Sequence, residues 1–263
     1  MAVVTTRYNS NALGGFVSFT AVIPFEDFGD NFLAPNPKPY DVKEPLKTIY
    51  LLHGVTGDEK DWLYGTRIER YAIENHIAVI MPDGNNNFYV DNNESDRWGE
   101  FIGEELVEVT RNLFPLSRKR EDTYIGGLSM GGYGAIRNGL KYNDTFSKII
   151  ALSSALITYE VPAATEDAPM VWQRKSYYER IFGPVDQLVG SDMDPEQLFT
   201  DCKNEIAIYM AVGDDDFLKE HNRRFKKFLE EHKADLNYHE EPGAHEWDFW
   251  DRNIKSGLEW LNQ

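Results

Sequence analysis

YIGGLSMGGYGAIRNGL, residues 124–140, is the stretch on which the fold turns. A β-branched and apolar run leads into Gly127-Leu128-Ser129-Met130-Gly131, and Tyr133, Ile136 and Leu140 then fall on one face at helical spacing. A strand that passes into a helix through Gly-x-Ser-x-Gly holds its serine on a strained turn, with the hydroxyl lifted clear of the sheet. The flanking glycines are needed because side chains there would collide with neighbouring backbone. The helix that follows points its N-terminus at the serine, so the Met130 N–H can donate to an oxyanion as one develops. A phosphate-binding glycine loop is the rival, but neither G-x-G-x-x-G nor G-x-x-x-x-G-K-[ST] occurs here.

Outward from this turn, residues 48–52, 77–81, 123–125, 148–152 and 206–212 are short apolar or β-branched runs closed by Gly, Pro, Asp or Ser. They read as buried parallel strands. Between them, Ile102, Leu106, Val109 and Leu113 form a helical face before Pro115, and Trp247, Trp250, Ile254, Leu258 and Leu261 form the stripe of a last helix docked on the core. Residues 17–23 alternate as an early antiparallel strand near an edge, ended by Pro24, and the prolines at 35, 37, 39 and 45 mark an irregular connection. Strands alternating with helices predict a mostly parallel central sheet covered on both faces, the α/β-hydrolase arrangement. At 263 residues the chain reads as one domain. The alternation breaks at about 155–204, which reads as a small insertion over the sheet edge.

In that fold the nucleophile is followed by an acid after a late strand and then by a histidine near the C-terminus. Gly213-Asp214-Asp215-Asp216-Phe217-Leu218 supplies three carboxylates. Asp216 is chosen because a hydrophobic pair stands immediately behind it; Asp214 and Asp215 stay open, since spacing does not say which side chain faces inward. Residues 236–241 read as one more strand, and Pro242-Gly243-Ala244-His245 sets a histidine just before the final helix. His245 is the base, because an imidazole can take the serine proton near neutral pH while a carboxylate fixes its tautomer. His76, His221 and His232 fall on helices or their ends as solvent-facing residues, and His239 lies within a strand. Leu52-His53-Gly54-Val55 closes the first long parallel strand, where a second oxyanion donor belongs, and the Val55 N–H is the candidate. Each such donor is worth about 3–4 kcal/mol in the transition state. His53 reads as a structural residue of the turn.

Lys and Arg number 27 against 44 Asp and Glu, a formal charge of −17. Such a field repels phosphate backbones and anionic membrane surfaces, so neither nucleic acid nor membrane is an expected partner. There is no leader-like apolar stretch and no span-length apolar run, and Cys202 is a lone cysteine, which together suggest a cytoplasmic enzyme. No H-E-x-x-H or similar ligand spacing occurs, so neither a metal nor another cofactor is expected. An exposed edge or the segment 155–204 could dock a second copy, though no residue pattern requires a homo-oligomer.

With these residues in place, the chain resembles the esterase D family, within it the bacterial tributyrin esterases and their relatives among S-formylglutathione hydrolases and feruloyl esterases. The resemblance rests on YLLHGVTGDEKDW at 50–62, VIMPDGNNNFYVDN at 79–92, residues 124–140, VGDDDFL at 212–218 and PGAHEW at 242–247, and it covers most of the chain. It implies a cofactor-free serine carboxylesterase with Ser129, Asp216 and His245 as triad and the Val55 and Met130 amides as oxyanion hole. S-formylglutathione hydrolases usually carry a cysteine in the loop after the first parallel strand, and Gly54-Val55-Thr56-Gly57 has none. The expected reaction is hydrolysis of short-chain acyl esters, acetyl or feruloyl esters of sugars among them, through an acyl-enzyme; acyl transfer or thioester hydrolysis is the alternative. No long apolar lid segment is visible, hence the expectation of short chains. Trp62, Phe88 and Tyr89, with Tyr64 and Trp98, lie in loops near the site and could line an acyl pocket or a sugar platform.

Overall fold

The structure, a computed structural model, describes residues 1–24, 44–92 and 95–263. The prolines at 35, 37 and 39 of the irregular connection lie outside the described residues.

The described strands are β1 (Ala2–Ser10), β2 (Gly15–Ile23), β3 (Lys47–Leu52), β4 (Ile77–Pro82), β5 (Thr123–Leu128), β6 (Lys148–Leu152), β7 (Ala207–Gly213) and β8 (Asp235–Glu241). They form one sheet in the order β1-β2-β4-β3-β5-β6-β7-β8. β1 and β2 make an antiparallel hairpin in which Ala2 faces Ile23, and β2 runs antiparallel to β4. From β4 to β8 every pairing is parallel. The runs read as parallel strands all fall in this part of the sheet. The sequence reading passed over β1, although residues 3–6, Val-Val-Thr-Thr, carry the β-branched signal of a strand.

Around the sheet lie α1 (Asp61–Gly65), α2 (Ile68–Asn75), α3 (Trp98–Glu100), a π-helical turn Phe101–Glu105, α4 (Leu106–Leu113), α5 (Met130–Lys141), α6 (Lys175–Phe182), α7 (Pro195–Asp201), α8 (Lys219–Glu231) and α9 (Trp247–Leu261). Because side chains alternate along a strand, β3 sends Tyr50 and Leu52 to one face and Ile49 and Leu51 to the other. The first face packs on Tyr133, Ile136 and Leu140 of α5 and on Ile102 and Leu106. The second packs on Ile68 and Tyr71 of α2 and on Trp250, Ile254, Leu258 and Leu261 of α9. Each such fully buried side chain contributes about 1.5–3 kcal/mol.

The helical face expected from Ile102 to Leu113 is displaced. Ile102 and Leu106 are buried, but Leu113 is 55% exposed and Thr110 takes the inward position, bonded to Tyr50 at 2.7 Å. The π turn at 101–105 adds a residue to one turn and so shifts the phase of everything after it. The segment 155–204 lies between β6 and β7 and carries α6 and α7. No described helix is long and apolar enough to cross a membrane.

Candidate active site

Ser129 stands between β5 and α5 with φ +54° and ψ −118°, a conformation costing about 1–3 kcal/mol for a residue with a side chain. Its surroundings maintain it: the Ser129 N–H donates to the Leu152 carbonyl at 2.9 Å, and its carbonyl accepts from Ala155 at 2.9 Å and Tyr133 at 3.1 Å. The two glycines of the motif are needed for close approach. A Cβ on Gly127 would lie 2.2 Å from the Gly131 carbonyl oxygen, and one on Gly131 would lie 2.3 Å from that of Leu52.

The structure brings Ser129, His245 and Asp216 together. His245 Nε2 is 3.0 Å from Ser129 Oγ, and His245 Nδ1 is 3.0 Å from Asp216 Oδ2. An ionised carboxylate only accepts, so Nδ1 carries the proton and donates to Asp216, which leaves Nε2 to accept from the serine hydroxyl. Asp214 and Asp215 are exposed, whereas Asp216 is 4% exposed. The two loops are sewn together by backbone: Asp214 N–H donates to Glu241 and Asp215 N–H to Gly243, both at 2.9 Å. Burial pushes the Asp216 carboxyl up, but hydrogen bonds from His245, the Leu218 N–H and the Ser153 hydroxyl, with the attraction of His245, hold it below the usual value of 3.8. Ser153, absent from the sequence reading, also accepts from the Trp250 indole at 3.0 Å.

The turn after β3 lies against Ser129, since a Cβ on Gly54 would meet Ser129 Cβ at 3.4 Å. Val55 lines the cleft beside Ser129, and Met130 opens α5, so its N–H is among those a helix leaves without an intrahelical partner. The turn is held from behind. Gly84 N–H donates to His53 Nε2 at 2.8 Å, which puts the His53 proton on Nδ1, 2.7 Å from the Gly54 carbonyl. Trp62 Nε1 donates to the Leu52 carbonyl and the Tyr89 hydroxyl to the His53 carbonyl, each at 3.0 Å. Trp62 and Tyr89, expected as substrate contacts, are thus buried struts of this turn, about 1% exposed or less. Indole and phenol groups can be buried when their polar ends find carbonyls, as they do here.

A cleft of about 840 Å³ opens at Ser129 and His245. Of the loop aromatics chosen from sequence, Phe88 lines it; Tyr64 and Trp98 do not. Trp172, Tyr178, Phe217, Trp247 and Trp250 line it instead. Trp172 and Tyr178 come from the segment 155–204, expected only as a small insertion over the sheet edge. His221 is not solvent-facing: its side chain is 18% exposed, it lines the cleft, and its Nε2 is 2.8 Å from Glu160 Oε1. Only tertiary packing aims these side chains inward, because a helix stripe or a loop aromatic reads the same whether it meets core or cleft. Among the described residues no three His, Cys, Asp or Glu side chains group as metal ligands.

Fold and site together define a serine hydrolase of the α/β-hydrolase class. Residues 31–261 match the family model described as "Putative esterase", and the chain belongs to that family. It is 43% identical over 268 residues to a protein named acetyl esterase from Caldicellulosiruptor saccharolyticus, covering 100% of this chain and 99% of that one. Two solved structures from Staphylococcus aureus are similar along the whole chain. One is FphF, a fluorophosphonate-binding serine hydrolase, at 31% identity and TM-score 0.85, covering 100% of this chain and 98% of its own. The other is the S-formylglutathione hydrolase FrmB, at 30% identity and TM-score 0.83, covering 100% and 99%. The chain is a carboxylic ester hydrolase, and the family-level resemblance read from its motifs is borne out.

Proposed function

We propose that the enzyme hydrolyses short-chain acyl esters through a covalent acyl-Ser129. The observation that carries this reading is the hydrogen-bonded run from Ser129 Oγ through His245 to Asp216, 3.0 Å at each step. Ser129 attacks the ester carbonyl while His245 Nε2 takes its proton, Asp216 stabilises the imidazolium, and the Val55 and Met130 amides hold the oxyanion. The C–O bond to the alcohol breaks as His245 returns the proton to the leaving oxygen. Water then attacks the acyl carbon with His245 again as base, the bond to Ser129 Oγ breaks, and His245 returns the proton to Oγ as the acid leaves. The acyl group is short, a reading supported by the acetyl esterase relative, and the width of the cleft is left for the alcohol. The enzyme acts in a reducing compartment such as the cytoplasm, in keeping with its single cysteine.

Hydrolysis of p-nitrophenyl esters from acetate to decanoate by wild type and Ser129→Ala tests this. Turnover peaks at short chains in the wild type and falls by more than about 10³ in the variant. A peak beyond ten carbons overturns the acyl assignment, and a variant retaining more than about one-thousandth of kcat overturns the nucleophile.

A further inference from the structure

Among the described residues, the permanent charges that line the cleft have one sign. Asp61, in α1 just beyond the oxyanion turn, and Glu160, in the segment after β6, both line it, and among the described lining residues there is no lysine or arginine. β3 and β6 flank β5 in the sheet, so the segments that carry the two carboxylates follow the strands on either side of the one that leads to Ser129. Among the described residues neither is paired with a lysine or arginine. The ion-pair contact of Glu160 is the imidazole of His221, and the side chain of Glu160 is 70% exposed. Burial lifts the Asp61 carboxyl above its usual range, and His53 partly opposes this. Six aromatic side chains, Phe88, Trp172, Tyr178, Phe217, Trp247 and Trp250, line the same cleft among aliphatic ones. Aromatic faces attract cations, above all alkylammonium groups, and repel anions. The whole molecule, at −17, adds a field of the same sign, which a cleft with low-dielectric walls concentrates.

We propose that the cleft selects the alcohol part of its ester by charge, taking alkylammonium alcohols ahead of neutral ones and turning away alcohols or thiols that carry carboxylate or sulfonate, with Glu160 and Asp61 setting the preference. The inference rests on the ester-hydrolase reading above. It also separates this chain from an enzyme built for glutathione thioesters, because glutathione brings two carboxylates against one ammonium, a net negative leaving group, into a cleft whose described lining has no lysine or arginine.

Three acetate esters test it: acetylcholine, its uncharged isostere 3,3-dimethylbutyl acetate, and 2-acetoxyethanesulfonate, assayed at low ionic strength in wild type and Glu160→Gln. The acyl-enzyme is the same for all three, so differences in kcat/KM report the alcohol. Comparing one pair of esters between two proteins cancels their intrinsic reactivity. The ratio of kcat/KM for acetylcholine over the sulfonate is at least about tenfold in the wild type. The ratio of acetylcholine over the neutral isostere falls at least about threefold in Glu160→Gln, and also in wild type at about 1 M salt, where the screening length drops to about 3 Å. Turnover of the neutral ester with ratios that neither the variant nor salt changes, or faster turnover of the sulfonate, overturns the charge filter and leaves the esterase standing. A wild type that hydrolyses neither these esters nor p-nitrophenyl acetate overturns the esterase reading, and the filter with it.

Discussion

Ser153 follows β6 directly with φ +46°, and its hydroxyl accepts from the Trp250 indole while donating to Asp216. It touches no reacting atom, yet it fixes the carboxylate that fixes the imidazole. Replacing it, Ser153→Ala, removes a charge-assisted hydrogen bond worth about 1.5–3 kcal/mol, part of which is lost from the transition state. Steady-state kinetics then show kcat lowered by roughly tenfold with KM nearly unchanged. Asp216 itself links the site to acid stability. Its carboxyl is held below its usual value of 3.8, so the stability it confers is present above that pH and lost as pH falls through the lower folded value. Denaturant unfolding of wild type and Asp216→Asn shows a stability gap at neutral pH that closes as the solution is taken well below the usual value. At this scale Ser129 and His245 are legible in the sequence because their motifs are local. Asp216 is legible only as one of three neighbours, since which carboxylate turns inward depends on backbone bonds from Asp214 and Asp215 to a loop about 30 residues away. Trp62 and Tyr89 are misread for the same reason: their polar ends meet carbonyls that only the folded turn supplies.

The turn from β5 into α5 is where strand and helix constrain one another. A methyl group on Gly131 would stand 2.3 Å from the Leu52 carbonyl oxygen and 2.6 Å from that of His53, so Gly131→Ala must push α5 off β3. Overpacking of this kind costs about 1–3 kcal/mol, and here it also displaces the Met130 amide from its place in the proposed oxyanion hole. The expected outcome is a folded but less stable enzyme, by circular dichroism melts, with kcat reduced by about 10² or more. The strand-turn-helix is legible because its glycines, its β-branched lead and its helical stripe agree. The helix after β4 is only half legible: the π turn at Phe101–Glu105 inserts a residue that no hydrophobic period announces, and the inward face after it slips. β1 goes unread because its outward positions, Val3, Thr5, Arg7 and Asn9, and its inward positions, Thr6 and Ser10 among them, mix apolar with polar residues and blur the alternation.

Across the whole molecule, packing and charge act in opposite directions. Leu258 and Ile254 of α9 are fully buried against the second face of the sheet, and Leu258→Ala should cost about 2–5 kcal/mol in denaturant unfolding. The formal charge of −17 works against compactness by self-repulsion that salt screens. The midpoint of thermal unfolding therefore rises between low salt and about 0.15 M sodium chloride, as scanning calorimetry would show. The parallel sheet is legible at this scale because fully buried strands read as continuous apolar runs. The cleft is not, since Trp172, Phe217 and Trp247 come from three distant parts of the chain. What unites site and fold is the claim that Ser129 becomes acylated. The most direct measurement is peptide-mapped mass spectrometry after exposure to a p-nitrophenyl alkylphosphonate, which a serine nucleophile attacks at phosphorus with loss of nitrophenolate. One adduct per chain on Ser129, absent from Ser129→Ala, is the predicted result; an unmodified Ser129, or a single adduct on another residue, contradicts it.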